Sequence, residues 1–280
     1  MDTFTAQVKT LARKFSGTVG VYAERLDTGA QLAYNADEIF PAASVVKLPV
    51  LFELFRQVHR QRVTLGTRIA LRDADKVIGS GVLKDLRAGA RLTLYDLAFL
   101  MMCISDNTAA NIVTDYVGIA NVNRTLKRLG LRESRVTGKI LIDQTQHTDT
   151  PTGKGERAPT TPREMARLLQ VIEARQYLGA ECSRQVVEIL KRVDTASTIA
   201  RGLPYDELRP AEGEPRLVVA HKTGSLRGVR NNVGLVYTPT FTYVIALLSQ
   251  GCADLRWTPD NEASVLLGNL SRIVYEQFTA

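Results

Sequence analysis

Ser44-Val45-Val46-Lys47-Leu48-Pro49-Val50-Leu51-Phe52-Glu53-Leu54-Phe55 is the stretch in which the chain changes from extended to helical. Pro41 stops the extended segment before it. The largely apolar run then has helical length, with charge returning at Arg56 and Arg60. Pro49 falls early enough to be tolerated as an irregularity. A helix starting here sets Ser44 and Lys47 at i and i+3, where side chains face each other. A lone serine is a weak nucleophile at neutral pH and needs a neighbouring base. Burial disfavours the charged form of a lysine, so a Lys47 walled in by Val45, Val46, Leu48 and Val50 suits that task. The helix start also favours negative charge near Ser44. Alone, however, a Ser-x-x-Lys pair is common enough to arise by chance.

On the upstream side, Phe4, Val8, Leu11, Ala12 and Phe15 repeat at helical spacing and end at Ser16-Gly17. Val19 to Leu26 and Ala30 to Asn35 read as a hairpin around Asp27-Thr28-Gly29. Downstream, from Leu92 to Thr198, the signals are helical: Leu94 to Ile104, Thr108 to Val117, Asn121 to Leu129, Pro162 to Ala174 and Ser183 to Val193. The helical pattern fails between Leu131 and Thr161, where a long polar loop is expected to be functional or disordered. After Pro204 the period becomes two, with strands over Arg216 to Lys222, Asn232 to Tyr237 and Phe241 to Ser249, then a helix from Asn261 to Phe278. Strands at both ends with helices between them predict an α+β fold. One antiparallel sheet is flanked by the N- and C-terminal helices, and an all-helical domain is inserted into it. The expected division is a discontinuous sheet domain, 1–43 and 200–280, and a helical domain, 44–199, with a long loop at about 131–161.

The 280 residues are 45% hydrophobic and 23% charged, enough for a sizeable core. A net charge of +7 raises nucleic acid as a partner, but the Lys and Arg residues are scattered without interleaved aromatics, so no nucleic-acid partner is expected. No apolar run reaches the length of a membrane span. The N-terminus as written carries no secretory signal. That reading is cytoplasmic, or periplasmic or secreted if a leader was removed. Cys103, Cys182 and Cys252 are odd in number and lack Cys-x-x-Cys pairing, and His59, His147 and His221 lack metal-ligand spacing. Neither a disulfide framework, a metal nor a cofactor is expected, and the chain is expected to be monomeric.

Two rarer motifs join the Ser-x-x-Lys pair. Ser105-Asp106-Asn107 closes the apolar helix from Leu94, and Lys222-Thr223-Gly224 ends a strand. Ser105 and Asn107 taken singly read as helix caps, Lys222 as a surface lysine, and His221 as structural because neighbouring strand residues face opposite ways. Together and in order, the three motifs form the signature of class A β-lactamases and penicillin-binding proteins. The chain resembles a class A β-lactamase, or a relative in the serine β-lactamase and penicillin-binding superfamily. The segment Val21 to Lys47 and the Thr160-Thr161-Pro162 sequence followed by Met165-Ala166 are also similar to that family.

The resemblance implies a β-lactamase/transpeptidase-like fold, a β-lactam or acyl-D-Ala-D-Ala-like small-molecule substrate and a set of roles. Ser44 is the acylated nucleophile, Lys47 its proton acceptor or relay, and Ser105 the shuttle to the leaving nitrogen. Asn107 holds the substrate amide. Lys222 supplies positive charge and Thr223 a hydrogen bond, while Gly224 lets substrate approach the strand backbone. The N–H groups of Ser225 and Ser44 form the oxyanion hole, and Arg230 falls where many class A enzymes keep a carboxylate-binding arginine. One element departs from the pattern. The family's Glu-x-x-Leu-Asn on its Ω-loop, which activates the deacylating water, has no counterpart in Arg135 to Thr145, where Asp143, beside Gln144, is the candidate acid. Acylation with slow deacylation is the expectation. A D-alanyl-D-alanine carboxypeptidase or esterase, and a non-catalytic β-lactam or peptidoglycan sensor, stay open as alternatives.

Overall fold

The structure is a computed structural model and describes residues 3–140, 158–193 and 198–280. In chain order it runs α1 (Thr3–Ala12), β1 (Thr18–Arg25), β2 (Gln31–Tyr34), β3 (Phe40–Pro41), α2 (Lys47–His59), β4 (Arg68–Ala70), β5 (Arg91–Thr93), α3 (Leu94–Cys103), α4 (Asn107–Val117) and α5 (Ile119–Arg128). It continues with β6 (Pro159–Thr160), α6 (Pro162–Glu173), α7 (Gly179–Lys191), α8 (Tyr205–Leu208), β7 (Val218–Leu226), β8 (Val229–Tyr237), β9 (Thr242–Gln250) and α9 (Glu262–Thr279). The chain forms two compact units: 1–45, 159–170 and 195–280 make the first, and 46–158 with 171–194 the second.

The first unit is built on a five-stranded antiparallel sheet of order β2-β1-β9-β8-β7, so N- and C-terminal strands share one sheet as the alternation of elements predicts. One core joins α1 and α9 to it: Phe4 and Val8 pack with Val19, Val21, Ile245 and Leu247 of the strands and with Leu267, Leu270 and Val274 of α9. Strand β9 is apolar and buried from Tyr243 to Leu248, as a central strand covered on both faces must be.

In the second unit α2 is buried on every side from Lys47 to Gln57, which explains its continuous apolar run. Pro49 occupies its first turn, where an N–H has no partner within the helix, so the helix continues. The polar residues inside α2 compensate one another. Arg56 donates to both Glu53 carboxylate oxygens at 2.7 Å, and Gln57 and Thr125 donate to the same group at 2.8 and 2.7 Å. Burial on its own pushes the Glu53 carboxyl upward, and these hydrogen bonds more than reverse the effect, holding it below its ordinary value.

Several boundaries differ from the sequence expectation. The α-helix begins at Lys47, and Ser44 lies in a preceding 3-10 turn, Ala43–Val46. Strand β7 extends beyond Lys222 to Leu226, and β8 begins at Val229, because Thr223↔Asn232, Gly224↔Asn231 and Ser225↔Arg230 continue the ladder through residues too polar to read as strand. Among the described residues, no helix is long and apolar enough to cross a membrane.

Removing one member of a buried ion pair strands the other. Arg56→Ala is expected to destabilise the protein by about 3–5 kcal/mol in chemical denaturation. A carboxyl held low in the folded state contributes stability that is present above its unfolded pKa and lost as pH falls through the folded value. The variant's acid-unfolding midpoint therefore moves to higher pH than the wild type's, measurable by circular dichroism.

Candidate active site

In the first unit the Ser44 turn lies against the sheet. A Cβ placed on Gly224 would sit 3.0 Å from the Ala42 carbonyl oxygen and the Val45 nitrogen, and 3.1 Å from the Ser44 nitrogen. A side chain there would force the turn back by a few tenths of an ångström, and glycine avoids that. Strand β7 is an edge strand, so its outer backbone groups face away from the ladder. The turn is fixed from below by Asn231, which is 1% exposed: its Nδ2 donates to the carbonyls of Pro41 (2.8 Å) and Ala42 (3.2 Å), and its Oδ1 accepts from the Ser249 N–H (3.0 Å). Pairing of β3 with β6 through Phe40↔Thr160 anchors the same segment. Ala43, immediately before Ser44, has φ 49°, a left-handed conformation that a non-glycine residue adopts at a cost. Lys222 is 1% exposed and donates through Nζ to the Thr223 carbonyl at 2.8 Å. His221, on the opposite side of the strand, is buried with Nδ1 3.1 Å from Asn232 Oδ1, the structural place expected for it.

The second unit holds Lys47, Ser105 and Asn107 together. Lys47 opens α2, one helical turn beyond Ser44 along the chain, and is 1% exposed. Its Nζ donates to the Ser105 carbonyl (2.6 Å), to Ser105 Oγ (3.0 Å) and to Asn107 Oδ1 (2.8 Å), which matches the three donors of an ammonium. Ser105 stands between α3 and α4 with φ 56°, another left-handed residue, and this turn of the backbone aims both its carbonyl and hydroxyl at Lys47. Asn107, the first residue of α4, also donates through Nδ2 to the Ile78 carbonyl at 3.3 Å, so its amide is fixed between Lys47 and that carbonyl.

Asp106, between them, is the residue that motif reading passes over. It is 1% exposed and caps α4 by accepting from Ala109 N (2.8 Å), while its other oxygen accepts from the Val82 and Leu83 N–H groups at 2.7 and 2.9 Å. A Cβ on Gly81 would collide with it, so Gly81, at φ 103°, is required for this approach. The signal was present as the middle letter of Ser-Asp-Asn, and the capping preference of aspartate carries half of its role.

Arg230 is buried and uses Nη1 on the Leu226 and Val229 carbonyls (2.9 and 2.8 Å) and Nη2 on the Arg256 carbonyl (2.7 Å). Burial lowers its pKa from the usual arginine value. Together with Thr223, Ser225 and Asn231 it lines a cavity of about 230 Å³ within the first unit. Asp143 and Gln144 lie outside the described residues. All three cysteines are free.

These two clusters carry the residues of the three motifs, and the comparison with known proteins agrees. The sequence profile of the beta-lactamase enzyme family matches residues 3–278. The chain belongs to that family. A β-lactamase of Rhodobacter capsulatus is 24% identical over 272 residues, 96% of this chain and 87% of that one. The crystal structure of a β-lactamase from Sphaerobacter thermophilus superposes with a TM-score of 0.85 at 32% identity, over 98% of this chain and 96% of that chain. A mutant of PBP-A in an acyl-enzyme complex with penicillin G superposes with a TM-score of 0.83 at 29% identity, over 99% of this chain and 96% of that one. Family membership accounts for the α+β architecture.

Asp106→Ala removes the acceptor of three N–H groups, two of them buried, and the expected loss is about 3 kcal/mol in equilibrium unfolding. Asp106→Asn retains one acceptor oxygen and is expected to lose less.

Proposed function

We propose that this protein is a serine hydrolase of β-lactams that passes through an acyl-enzyme at Ser44. The observation that carries this reading is the buried Lys47 amine, one helical turn after Ser44 and held on Ser105 Oγ and Asn107 Oδ1. In its neutral form Lys47 takes the Ser44 proton as Oγ attacks the lactam carbonyl carbon. The carbonyl oxygen becomes an oxyanion, for which the backbone N–H groups of Ser44 and Ser225 are the donors. Collapse of the tetrahedral intermediate breaks the C–N bond of the ring, and the leaving nitrogen takes a proton from Ser105 Oγ, which Lys47 replenishes. Lys222, Thr223 and Arg230 supply the cationic and hydrogen-bonding groups for the substrate carboxylate, and Asn107 the contact for its amide side chain. We assign the sheet-based unit and the helix-based unit to the discontinuous sheet domain and inserted helical domain of this architecture.

Hydrolysis then needs a base for the water that releases the acyl group. The sequence offers Asp143 in place of the family's glutamate, with a side chain shorter by one methylene. Slow deacylation follows from that substitution. The similarity to PBP-A, whose mutant was captured with penicillin G attached, supports a second reading, a penicillin-binding carboxypeptidase or acyl-trapping protein on the same scaffold.

An intact-mass time course with benzylpenicillin separates these readings. A mass increase equal to the whole drug, followed by its decay with turnover, supports the hydrolase; an adduct that persists supports the trap. Ser44→Ala is expected to give no adduct, and an adduct in that variant would refute the assignment of the nucleophile. Lys47→Met is expected to slow acylation by about 10²–10⁴-fold while leaving the fold intact by circular dichroism. Gly224→Val sets a side chain against the backbone of Ala42, Ser44 and Val45. The resulting displacement of the nucleophile is expected to slow acylation by about 10²-fold or more, read in the same assay.

A further inference from the structure

The loop that follows β9 raises Trp257 beside the Arg230 cavity, and nothing in the three motifs calls for an aromatic residue there. Trp257 is 67% exposed. A single exposed tryptophan is unremarkable on a floppy loop. This loop is held on both sides of the ring. The Arg256 carbonyl accepts from Arg230 Nη2 (2.7 Å) and Asn261 Nδ2 (3.1 Å), and the Pro259 carbonyl accepts from Arg201 Nη1 (2.8 Å). Arg256 is itself braced by Asp254, at 2.9 and 2.8 Å. The Arg230 guanidinium carbon lies 4.6 Å from the centroid of the indole, within cation–π range, so the cation fixes the ring as well as the loop. Trp257 and Thr258 line the same cavity as Thr223, Ser225, Arg230 and Asn231.

Among the described residues no acidic side chain accepts a hydrogen bond from Arg230, although the Asp254 charge acts on it; three of its five N–H groups go to backbone carbonyls. A fixed cation of this kind suits an anionic ligand, and a rigid aromatic plate next to it suits a flat group attached close to that anion. We propose that Trp257 is a specificity-determining residue, a stacking platform for an unsaturated or aryl-conjugated ring on the carboxylate-bearing side of the substrate. The proposal rests on the β-lactam reading of the site. It selects cephalosporins whose carboxylate-bearing six-membered ring is conjugated to an aryl group over penicillins, whose carboxylate-bearing ring is saturated.

The test measures second-order acylation constants with two probes: a chromogenic cephalosporin carrying a conjugated nitroaryl group, and benzylpenicillin. Trp257→Ala and Trp257→Leu are each expected to lower the cephalosporin-to-penicillin ratio by about threefold to tenfold, the size of one lost stacking contact. Trp257→Phe, which keeps a ring, is expected to restore most of the ratio. A purely structural role would move both constants together and leave the ratio unchanged. Wild-type acylation by both probes with an unchanged ratio in Trp257→Leu overturns the platform and leaves Ser44 chemistry standing. Absence of wild-type acylation by either probe overturns the β-lactam reading itself.

Discussion

Burying the Lys47 amine is the constraint on which much of the second unit depends. A cation taken out of water costs more than the folded state can spare unless acceptors replace its hydration. Here the acceptors are the carbonyl and hydroxyl of Ser105 and the amide oxygen of Asn107. That requirement reaches outwards. Ser105 must turn into the left-handed region to offer two oxygens at once. Asp106 must cap α4 and hold the 80–83 segment, and Gly81 must lack a side chain so that Asp106 fits. The acceptors that one buried amine requires thus explain why three consecutive small polar residues interrupt an otherwise apolar run.

A different constraint shapes the first unit, namely close backbone approach. Gly224 on the edge strand leaves just enough room for the Ala42–Val45 turn, and Asn231, directly opposite Gly224 in the ladder, grips the Pro41 and Ala42 carbonyls. The two residues act from paired positions, one by having no side chain and the other by having an amide that can satisfy carbonyls a turn leaves unpaired. The strained φ at Ala43, next to Ser44, is held by these contacts, which is how a fold keeps a costly conformation.

Arg230 ties a buried cation to local architecture. Its guanidinium is tied to three backbone carbonyls and stacked on Trp257, so it is a rigid cation and not a mobile one. Rigidity of this sort reduces the ordering cost of binding an anion. The same bonds hold the loop that carries Trp257, so charge and aromatic surface are positioned by one set of interactions.

The sequence by itself determined the α+β class, the order of elements and the three motifs. These features are local: hydrophobic period, proline and glycine punctuation, and short spacings between Ser44 and Lys47 or from Ser105 to Asn107. It also raised the expectation that the family's deacylating glutamate is replaced, with Asp143 as the candidate, and that residue lies outside the described residues. It misplaced the facing ends of β7 and β8 because Thr223, Ser225, Arg230 and Asn231 are polar yet sit in a ladder, where cross-strand hydrogen bonds outweigh composition. Only the tertiary structure decided what Asp106, Asn231 and Trp257 do. Their partners lie far away in the chain or in backbone groups with no signature of their own, and a hydrogen bond to a carbonyl leaves no mark on the identity of the residue that supplies it.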